Sequence, residues 1–205
     1  MKQSLSAIIG LASATILVVA GSAYADNSSY PMTIENCGKT ITFDAAPARA
    51  VTIGQSVTEI LYSLGLGEKV VGTSVWFSEV LPQYAELNAG IKRLSDNDPS
   101  FESVVATKPG IIGVSYEWHV GPKGLVATRE QFHDVGIPTY ILPTDCVKDN
   151  TVGGDGTRLQ MFNTDALQQA VLELANILNV PDAGKKLVME LTARETAAIE
   201  KVKTV

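Results

Sequence analysis

A strand–turn–helix–strand order over residues 51–74 constrains the fold of this chain more than any other feature. Residues 51–53 predict a short buried strand, and residues 69–74 predict a second one. Between them, four apolar residues recur at helical spacing and predict one buried helix face: Val57, Ile60, Leu61 and Leu64. Two strands that a helix connects pair in parallel, with a right-handed crossover.

The turn before this helix bears on the kind of ligand that the chain can bind. Residues 54–56 contain neither G-x-G-x-x-G nor the G-K-[ST] ending of a phosphate-binding loop, which argues against a nucleotide. Ser56 and Glu59 have the spacing of a capping box, in which each side chain accepts a hydrogen bond from a free backbone N–H at the helix start. We therefore predict an ordinary capped helix at this turn.

The same order of elements repeats further along the chain. Asp98-Pro99 predicts a second helix start, and residues 111–114 predict the strand that follows it. A predicted helix over residues 125–135 then precedes a predicted strand over residues 139–142. Three or four such units predict a small parallel sheet that is covered by helices.

The residues on either side of these units have patterns of their own. Residues 32–43 contain two alternating runs around a glycine turn and predict a β-hairpin. An apolar stripe between residues 167 and 178 predicts a helix, and Pro181 begins another predicted helix that continues to residue 205. The predicted fold class is α/β: a Rossmann-like three-layer sandwich with a small parallel sheet, an N-terminal β-hairpin and a long C-terminal helix.

The amino-terminal residues predict export. Lys2 precedes an apolar run over residues 7–20, and Ala23 and Ala25 then form an A-x-A cleavage pattern. We expect residues 1–25 to be a signal peptide that is removed on export to the periplasm, with no membrane insertion after cleavage. A retained membrane anchor is the alternative, and the shortness of the apolar run argues against it.

Export changes the interpretation of the two cysteines. In an oxidising compartment, Cys37 and Cys146 are candidates for a disulfide. Two buried free thiols are one alternative, and a metal site is the other. We expect no metal site, because no C-x-x-C spacing occurs and only His119 and His133 are available to assist.

The net charge argues against two classes of partner. The chain carries a formal charge of −6, and no cluster of Lys or Arg interrupts this acidity. Nucleic acids and anionic membrane surfaces bind to basic patches, so neither is an expected partner.

Three stretches of the chain resemble a known family. The stretches RAVTIGQSVTEILYSLGLGEKVVGTS, DPSFESVVATKPGIIGVS and FHDVGIPTYIL are similar to the periplasmic solute-binding proteins of iron–siderophore and vitamin B12 ABC importers. The resemblance implies two α/β lobes that a long backbone helix connects, with the ligand in the cleft between them. It further implies that residues 26–160 form the N-terminal lobe and that residues 161–205 begin the inter-lobe helix, with the second lobe absent.

The resemblance also implies a function. The chain is expected to be the extracytoplasmic component that binds an iron–siderophore, haem or corrinoid-type metal chelate and delivers it to an ABC transporter permease. No cofactor and no enzymatic activity are expected. Glu102 matches the position of a glutamate that pairs with permease arginines, although a solvated helix charge is the alternative.

Candidate ligand contacts follow from the predicted strand order. In an open parallel sheet, ligands lie outside the carboxyl ends of the strands. We therefore expect residues just after the strands to contact the chelate: Gln55, Ser56, Trp76, Phe77, Tyr116, Glu117, Trp118, His119 and Asp145. The aromatic rings suit a ligand with apolar faces, whereas the alternative is that the tryptophans only fill the core. His119 is either a ligand of the metal centre or an ordinary loop residue.

Two further functions remain open at this point. A metal-dependent periplasmic hydrolase would use Glu117, His119 and Asp145 as metal ligands. The other alternative is a non-functional fragment of a binding protein. Serine nucleophile chemistry has little support, because the turn at Ser56 lacks the second glycine of G-x-S-x-G.

Overall fold

The structure is a computed structural model that describes residues 30–146 and 163–203. The predicted signal peptide lies outside the described residues, as do residues 147–162, which include the predicted boundary between the lobe and the helical segment. In the described part, two antiparallel strands form the predicted hairpin, β1 (Met32–Asn36) and β2 (Lys39–Phe43).

Five further strands form a parallel sheet in the order β5-β4-β3-β6-β7. They are β3 (Ala50–Ile53), β4 (Val70–Ser74), β5 (Arg93–Ser95), β6 (Ile111–Val114) and β7 (Thr139–Ile141). The chain first builds the sheet outward from β3 through β4 to β5. It then returns to the other side of β3 for β6 and β7, so the strand order reverses between β3 and β6.

Six α-helices connect and cover these strands in the described residues. They are α1 (Gln55–Ser63), α2 (Ala85–Ala89), α3 (Phe101–Val105), α4 (Arg129–Asp134), α5 (Asp165–Ile177) and α6 (Pro181–Lys203). The sequence patterns did not predict the short strand β5 or the short helix α2. Three residues in β5 and five in α2 are too few to show a period in the sequence.

Helices lie on both faces of the parallel sheet, as the three-layer prediction requires. On one face, Leu61 of α1 and Leu174 of α5 belong to one buried cluster, which includes Tyr140 of β7. On the other face, Val104 of α3 and Phe132 of α4 belong to a second buried cluster. The predicted α/β fold class is confirmed, with the small sheet, the hairpin and the long C-terminal helix in place.

Three predicted helix starts are wrong. The helix expected at Asp98 begins at Phe101, because the hydroxyl of Ser100 caps it by accepting a hydrogen bond from the Ser103 N–H. The helix expected over residues 125–135 is limited to Arg129–Asp134, because Thr128 starts it with a capping box. The third is the capping box of α1, which does not form.

A distant serine replaces the expected cap of α1. Gly54 is the N-cap residue and has no side chain to donate or accept a hydrogen bond. The hydroxyl of Ser115, which follows β6, accepts a hydrogen bond from the Val57 N–H at 3.2 Å. One free N–H at the helix start is thus satisfied by a residue that follows the neighbouring strand β6, and Glu59 makes other contacts.

A buried arginine anchors the hairpin to the edge of the sheet. The Arg129 guanidinium donates to the Asn36 carbonyl at 2.8 Å and to the Thr139 carbonyl at 2.9 Å. The Asn36 amide in turn donates to the Ile141 carbonyl at 2.8 Å and accepts from the Ile141 N–H at 2.9 Å. Asn36 therefore pairs with the open edge of β7 as the backbone of another strand would.

The predicted disulfide also joins the hairpin to this edge. Cys37 in the hairpin turn is bonded to Cys146, which lies just after the short turn Pro143–Asp145, with the Cα atoms 4.9 Å apart. Neither cysteine is a free thiol. The alternative interpretations of the cysteines are therefore set aside.

The C-terminal helix packs against the core only along its first half. Leu187 and Leu191 of α6 pack against the core cluster that contains α5. Near its end, Ile199 and Val202 are 48% and 74% exposed.

Among the helices of the described residues, none combines the length and the apolar composition that a membrane span requires.

Candidate ligand-binding site

The order of strands reverses between β3 and β6, and open parallel sheets commonly bind ligands at such a point. A crevice opens outside the carboxyl ends of the strands at such a point, because the connections leave toward opposite faces of the sheet. Here β3 is followed by Gly54 and α1, and β6 is followed by Ser115 and a short turn, Glu117–His119. The expected contact residues lie in these segments and in those that follow β4 and β7.

Three aromatic side chains form a continuous surface at this edge. Tyr116 and Trp118 stack with ring centroids 4.7 Å apart and planes within 11°, and Phe77 lies 6.2 Å from Tyr116. Phe77 is 67% exposed and Trp118 is 38% exposed, which is unusual for large apolar side chains. We refer to Phe77, Tyr116 and Trp118 as the aromatic rim.

Trp76 is directed to different partners. Its indole N–H donates to the Thr73 hydroxyl at 3.0 Å. The Arg93 guanidinium lies 4.8 Å from the centroid of its ring. These contacts match the structural alternative for this tryptophan, in which it packs within the protein.

Gln55 holds the loop that carries Phe77. Its side-chain carbonyl accepts hydrogen bonds from the backbone and the hydroxyl of Ser78, and its amide donates to the Glu79 carbonyl at 3.1 Å. Glu59, one helical turn later, accepts from the Leu81 N–H at 2.9 Å. Two side chains of α1 thus fix the course of the loop after β4. Ser56 is exposed at the start of α1.

Asp145 holds the turn that carries Trp118. It is buried, with 1% of its surface exposed, and its carboxylate accepts a hydrogen bond from the Glu117 N–H at 2.6 Å. This bond joins the segment after β7 to the turn after β6. The structure therefore places Glu117 and Asp145 side by side, with the Asp145 carboxylate directed at the backbone.

His119 is buried beneath the aromatic rim. Its Nδ1 lies 2.6 Å from a carboxylate oxygen of Asp98, and since a carboxylate accepts, we assign the Nδ1–H tautomer to the neutral ring. Among the described residues, its buried Nε2 has no hydrogen-bond partner. Burial disfavours the imidazolium and lowers the pKa of His119, although the hydrogen bond and the charge of Asp98 oppose this shift.

This lowered pKa predicts a loss of stability in mild acid. The unfolded chain binds a proton on this histidine below about pH 6.5, whereas the folded protein resists doing so. The free energy of unfolding is therefore expected to fall as the pH is lowered from 7.5 to 5.5. Urea unfolding of the wild type and of His119→Gln should show a flatter pH dependence in the variant.

The exposed histidine provides the control for this experiment. His133 lies on the surface of α4, so His133→Gln should retain the wild-type pH dependence. Coinciding pH profiles for the wild type and His119→Gln would show that the lowered pKa of His119 does not contribute to the pH dependence of stability.

A groove of about 460 Å³ lies next to the aromatic rim. It is lined by Val75, Phe77, Asn97, Asp98, Trp118, His119, Lys123 and Leu125. Five of these residues were not among the expected contacts: Val75, Asn97, Asp98, Lys123 and Leu125. Their position after strands β4, β5 and β6 was the available signal, but β5 was not predicted. A second cavity lies between β2 and α4 and includes Thr139 at the amino end of β7, away from the carboxyl ends of the strands.

Two other expectations concern metals and the permease. The described residues contain no group of three or more His, Cys, Asp or Glu side chains that is arranged to hold a metal ion. Glu102 is exposed in the first turn of α3, where a partner protein can reach it.

Comparisons with known proteins relate this architecture to transport proteins. A sequence model of the family described as "Periplasmic binding protein" matches residues 51–205. An uncharacterized ABC transporter substrate-binding lipoprotein, YvrC of Bacillus subtilis (strain 168), is 30% identical over 84 residues, which are 40% of this chain and 25% of that protein.

Solved structures show the same fold. A periplasmic binding protein from Veillonella parvula dsm 2008 superposes with a TM-score of 0.66 at 20% identity, over 83% of this chain and 53% of that one. An ABC-type Fe3+-hydroxamate transport system protein from Saccharomonospora viridis DSM 43017 superposes with a TM-score of 0.63 at 27% identity, over 84% and 57% of the two chains. This chain spans about half the length of these structures.

Proposed function

The chain belongs to the periplasmic binding protein family, and from this premise we propose that it binds a metal chelate for an ABC importer. The proposed ligand is an iron–siderophore, haem or corrinoid-type chelate, which the protein delivers to a permease. Residues 1–25 serve as the signal peptide for export to the periplasm. The hydrolase alternative is set aside, because the family and these relatives are substrate-binding transport proteins and not enzymes.

The aromatic rim is the observation that carries this proposal. Phe77 and Trp118 are 67% and 38% exposed and present large apolar surface beside the reversal of strand order. Aromatic rings stack on ligands with flat or rounded apolar faces. A few polar groups beside the rings then fix the orientation of the ligand. The Saccharomonospora viridis protein, which is described as part of an Fe3+-hydroxamate transport system, supports an iron chelate as the ligand.

The other expected contacts have distinct roles in this proposal. Tyr116, Phe77 and Trp118 contact the ligand, with Ser56 and Glu117 at its polar edge. Gln55 and Asp145 are positioning residues, because their side chains hold the loops that carry the rim. His119 supports the rim from below through its hydrogen bond to Asp98.

The described edge of the sheet forms one wall of the proposed cleft. Residues 26–160 make up the N-terminal lobe, and residues 161–205 begin the helix that connects the lobes. The apolar side chains near the end of α6, Ile199 and Val202, are exposed where such a helix continues toward a second lobe. Glu102 is the proposed contact with permease arginines.

The test is a binding measurement on rim variants. Equilibrium dialysis of the purified chain against a ferric trihydroxamate complex should show binding that Trp118→Ala and Phe77→Ala each weaken. We expect a loss of about twofold to twelvefold, since a stacked ring contributes about 0.5–1.5 kcal/mol. Met189→Ala, which removes an exposed apolar side chain of α6, is the matched control and should bind as the wild type does.

Three results bear on the ligand and on the proposal as a whole. Native mass spectrometry of the chain isolated from its own periplasm should show the mass of a bound chelate. Equal affinities of the wild type and both rim variants would exclude the rim as the binding surface. No binding of any chelate class would favour the non-functional fragment.

A further inference from the structure

Two segments that follow neighbouring strands line the groove beside the aromatic rim. Val75 and Phe77 follow β4, and Asn97 and Asp98 follow β5. The two strands pair in parallel over two residue pairs, with an irregularity between them, and β5 is an edge strand of three residues. So short a ladder leaves the relative position of the two segments to contacts beyond the strands.

Trp76 joins these two segments. Its backbone N–H donates to the Asp96 carbonyl at 3.0 Å, and its indole N–H donates to the Thr73 hydroxyl at 3.0 Å. The Arg93 guanidinium lies 4.8 Å from the centroid of its ring and donates to the Asp96 carboxylate at 3.1 Å. We refer to Thr73, Trp76, Arg93 and Asp96 as the Trp76 clamp. Two of its contacts cross from the segment of β4 to the segment of β5.

The hydroxyl that accepts from the indole belongs to a buried chain of hydrogen bonds. Thr73 Oγ1 lies 3.1 Å from the Thr58 hydroxyl, which lies 2.7 Å from the Thr52 hydroxyl. All three threonines are buried. Thr52 lies on β3 and Thr58 on α1, so two other elements fix the acceptor of the clamp near the carboxyl ends of the strands.

The residue before Trp76 has a strained backbone conformation. Val75 has φ 60°, in the left-handed region that β-branched residues rarely adopt. Its side chain is buried in the second core cluster. Such strain persists where surrounding contacts hold a residue in place, and it is concentrated at functional sites. The clamp and the burial of Val75 supply contacts of this kind next to Phe77.

The clamp is adjacent to the segments that carry both exposed rings of the rim. Phe77 follows Trp76 directly in the chain. Asp98 lies two residues after the clamp and accepts a hydrogen bond from His119, in the turn that carries Trp118. Among the described residues, the lining of the groove includes Phe77 and Asp98 and leaves out Trp76. A ligand in the groove thus meets the neighbours of Trp76.

We propose that Trp76 is a positioning residue for ligand binding, which sets the segments of Phe77 and Asp98 at a fixed separation across the groove. The inference rests on the proposed function and adds to it a residue that acts without touching the ligand. A loop that is held in its binding conformation loses less conformational freedom when the ligand binds, so the affinity is higher. Releasing the clamp therefore weakens binding.

The test measures ligand affinity of the full chain by equilibrium dialysis. A ferric trihydroxamate, haem and a corrinoid are each offered to the wild type, and the complex that binds most tightly is used for the variants. Trp76→Phe removes the indole N–H and retains an aromatic ring beneath Arg93. Its affinity should be about twofold to twelvefold lower than that of the wild type, since ordering one released side chain on binding costs a factor of this size.

Substitutions of the acceptor test the same hydrogen bond from its other side. Thr73→Val removes the hydroxyl and should cause a similar loss of affinity. Thr73→Ser retains the hydroxyl and should bind as the wild type does. Tyr84→Phe is the matched control, because it removes a side-chain hydrogen bond of 2.9 Å to Ser63, and both residues lie outside the lining of the groove. It should also bind as the wild type does.

A double variant separates positioning from a general loss of stability. Where Trp76 acts mainly through Phe77, Trp76→Phe should cost less than about twofold in a Phe77→Ala background, because the ring that it positions is absent. A general structural role would give the same loss of affinity in both backgrounds.

The outcomes distinguish the inference from the proposed function. Weaker binding of Trp76→Phe that largely disappears in the Phe77→Ala background supports the inference. Wild-type affinity of Trp76→Phe, or an equal loss in both backgrounds, would overturn the inference and leave the binding function intact. Failure of the wild type to bind any of the three complexes would overturn the proposed function and the inference with it.

Discussion

Replacing Cys37 and Cys146 with serine is expected to lower the free energy of unfolding by about 2–5 kcal/mol. The two cysteines are 109 residues apart, so the bond closes a long loop and removes much conformational freedom from the unfolded chain. The variant should still fold, because the Arg129–Asn36 network also holds the hairpin on β7.

Denaturant titration of the double variant and the wild type provides the measurement. Wild-type protein treated with a reductant should unfold at the midpoint of the double variant. The single variant Cys37→Ser leaves one free thiol. Under reducing conditions it should show the same loss of stability as the double variant, relative to the oxidised wild type. Equal midpoints for the oxidised wild type and the double variant would show that the bond does not contribute to stability.

Replacing Gly54 with alanine is expected to lower the free energy of unfolding by about 2–6 kcal/mol. Gly54 has φ 123° and ψ 138°, a conformation that residues with a Cβ atom adopt only at a cost of about 1–3 kcal/mol. The added Cβ would also approach the Ser115 Oγ to 2.2 Å, and overpacking of this kind costs a further 1–3 kcal/mol, roughly.

The same substitution should also weaken ligand binding. Ser115 caps α1 and precedes the rim residue Tyr116, so displacing Ser115 disturbs the edge at which the ligand is proposed to bind. Gly65→Ala is the matched control: Gly65 also has positive φ, at 74°, but a Cβ there meets nothing within 4 Å. It should cost about 1 kcal/mol and leave binding unchanged. A similar loss at both glycines would mean that the contact with Ser115 is unimportant.

The parts of the fold that the sequence predicted correctly depend on local patterns. Alternation over residues 32–43 and helical spacing of apolar residues over 57–64 each reflect the period of one element, which burial on one face imposes. The order of strands and helices then restricts the connections to parallel, right-handed crossovers. Two cysteines allow a single intramolecular pairing, so the disulfide could also be predicted from the sequence.

The helix starts were predicted less well, because several residues compete for the same backbone groups. Asp98 has the type and the position of a cap, but in the structure Ser100 caps α3 and Asp98 binds His119. Ser56 and Glu59 have capping-box spacing, but Ser115 supplies the hydrogen bond to α1 from a residue that is 58 positions away. Sequence spacing identifies groups that are able to cap a helix, and the tertiary contacts decide which of them does.

For the candidate site, too, the sequence predicted one part and tertiary contacts decided the other. The sequence by itself determined which segments meet at the carboxyl edge of the sheet, because strand ends in a parallel sheet are set by topology. Only the tertiary structure decided where each side chain points: Phe77 and Trp118 to the surface, Trp76 onto Thr73 and beneath Arg93, and Gln55 and Asp145 to loop backbones. Side-chain direction depends on packing and hydrogen bonds between segments distant in the chain, which no local pattern records.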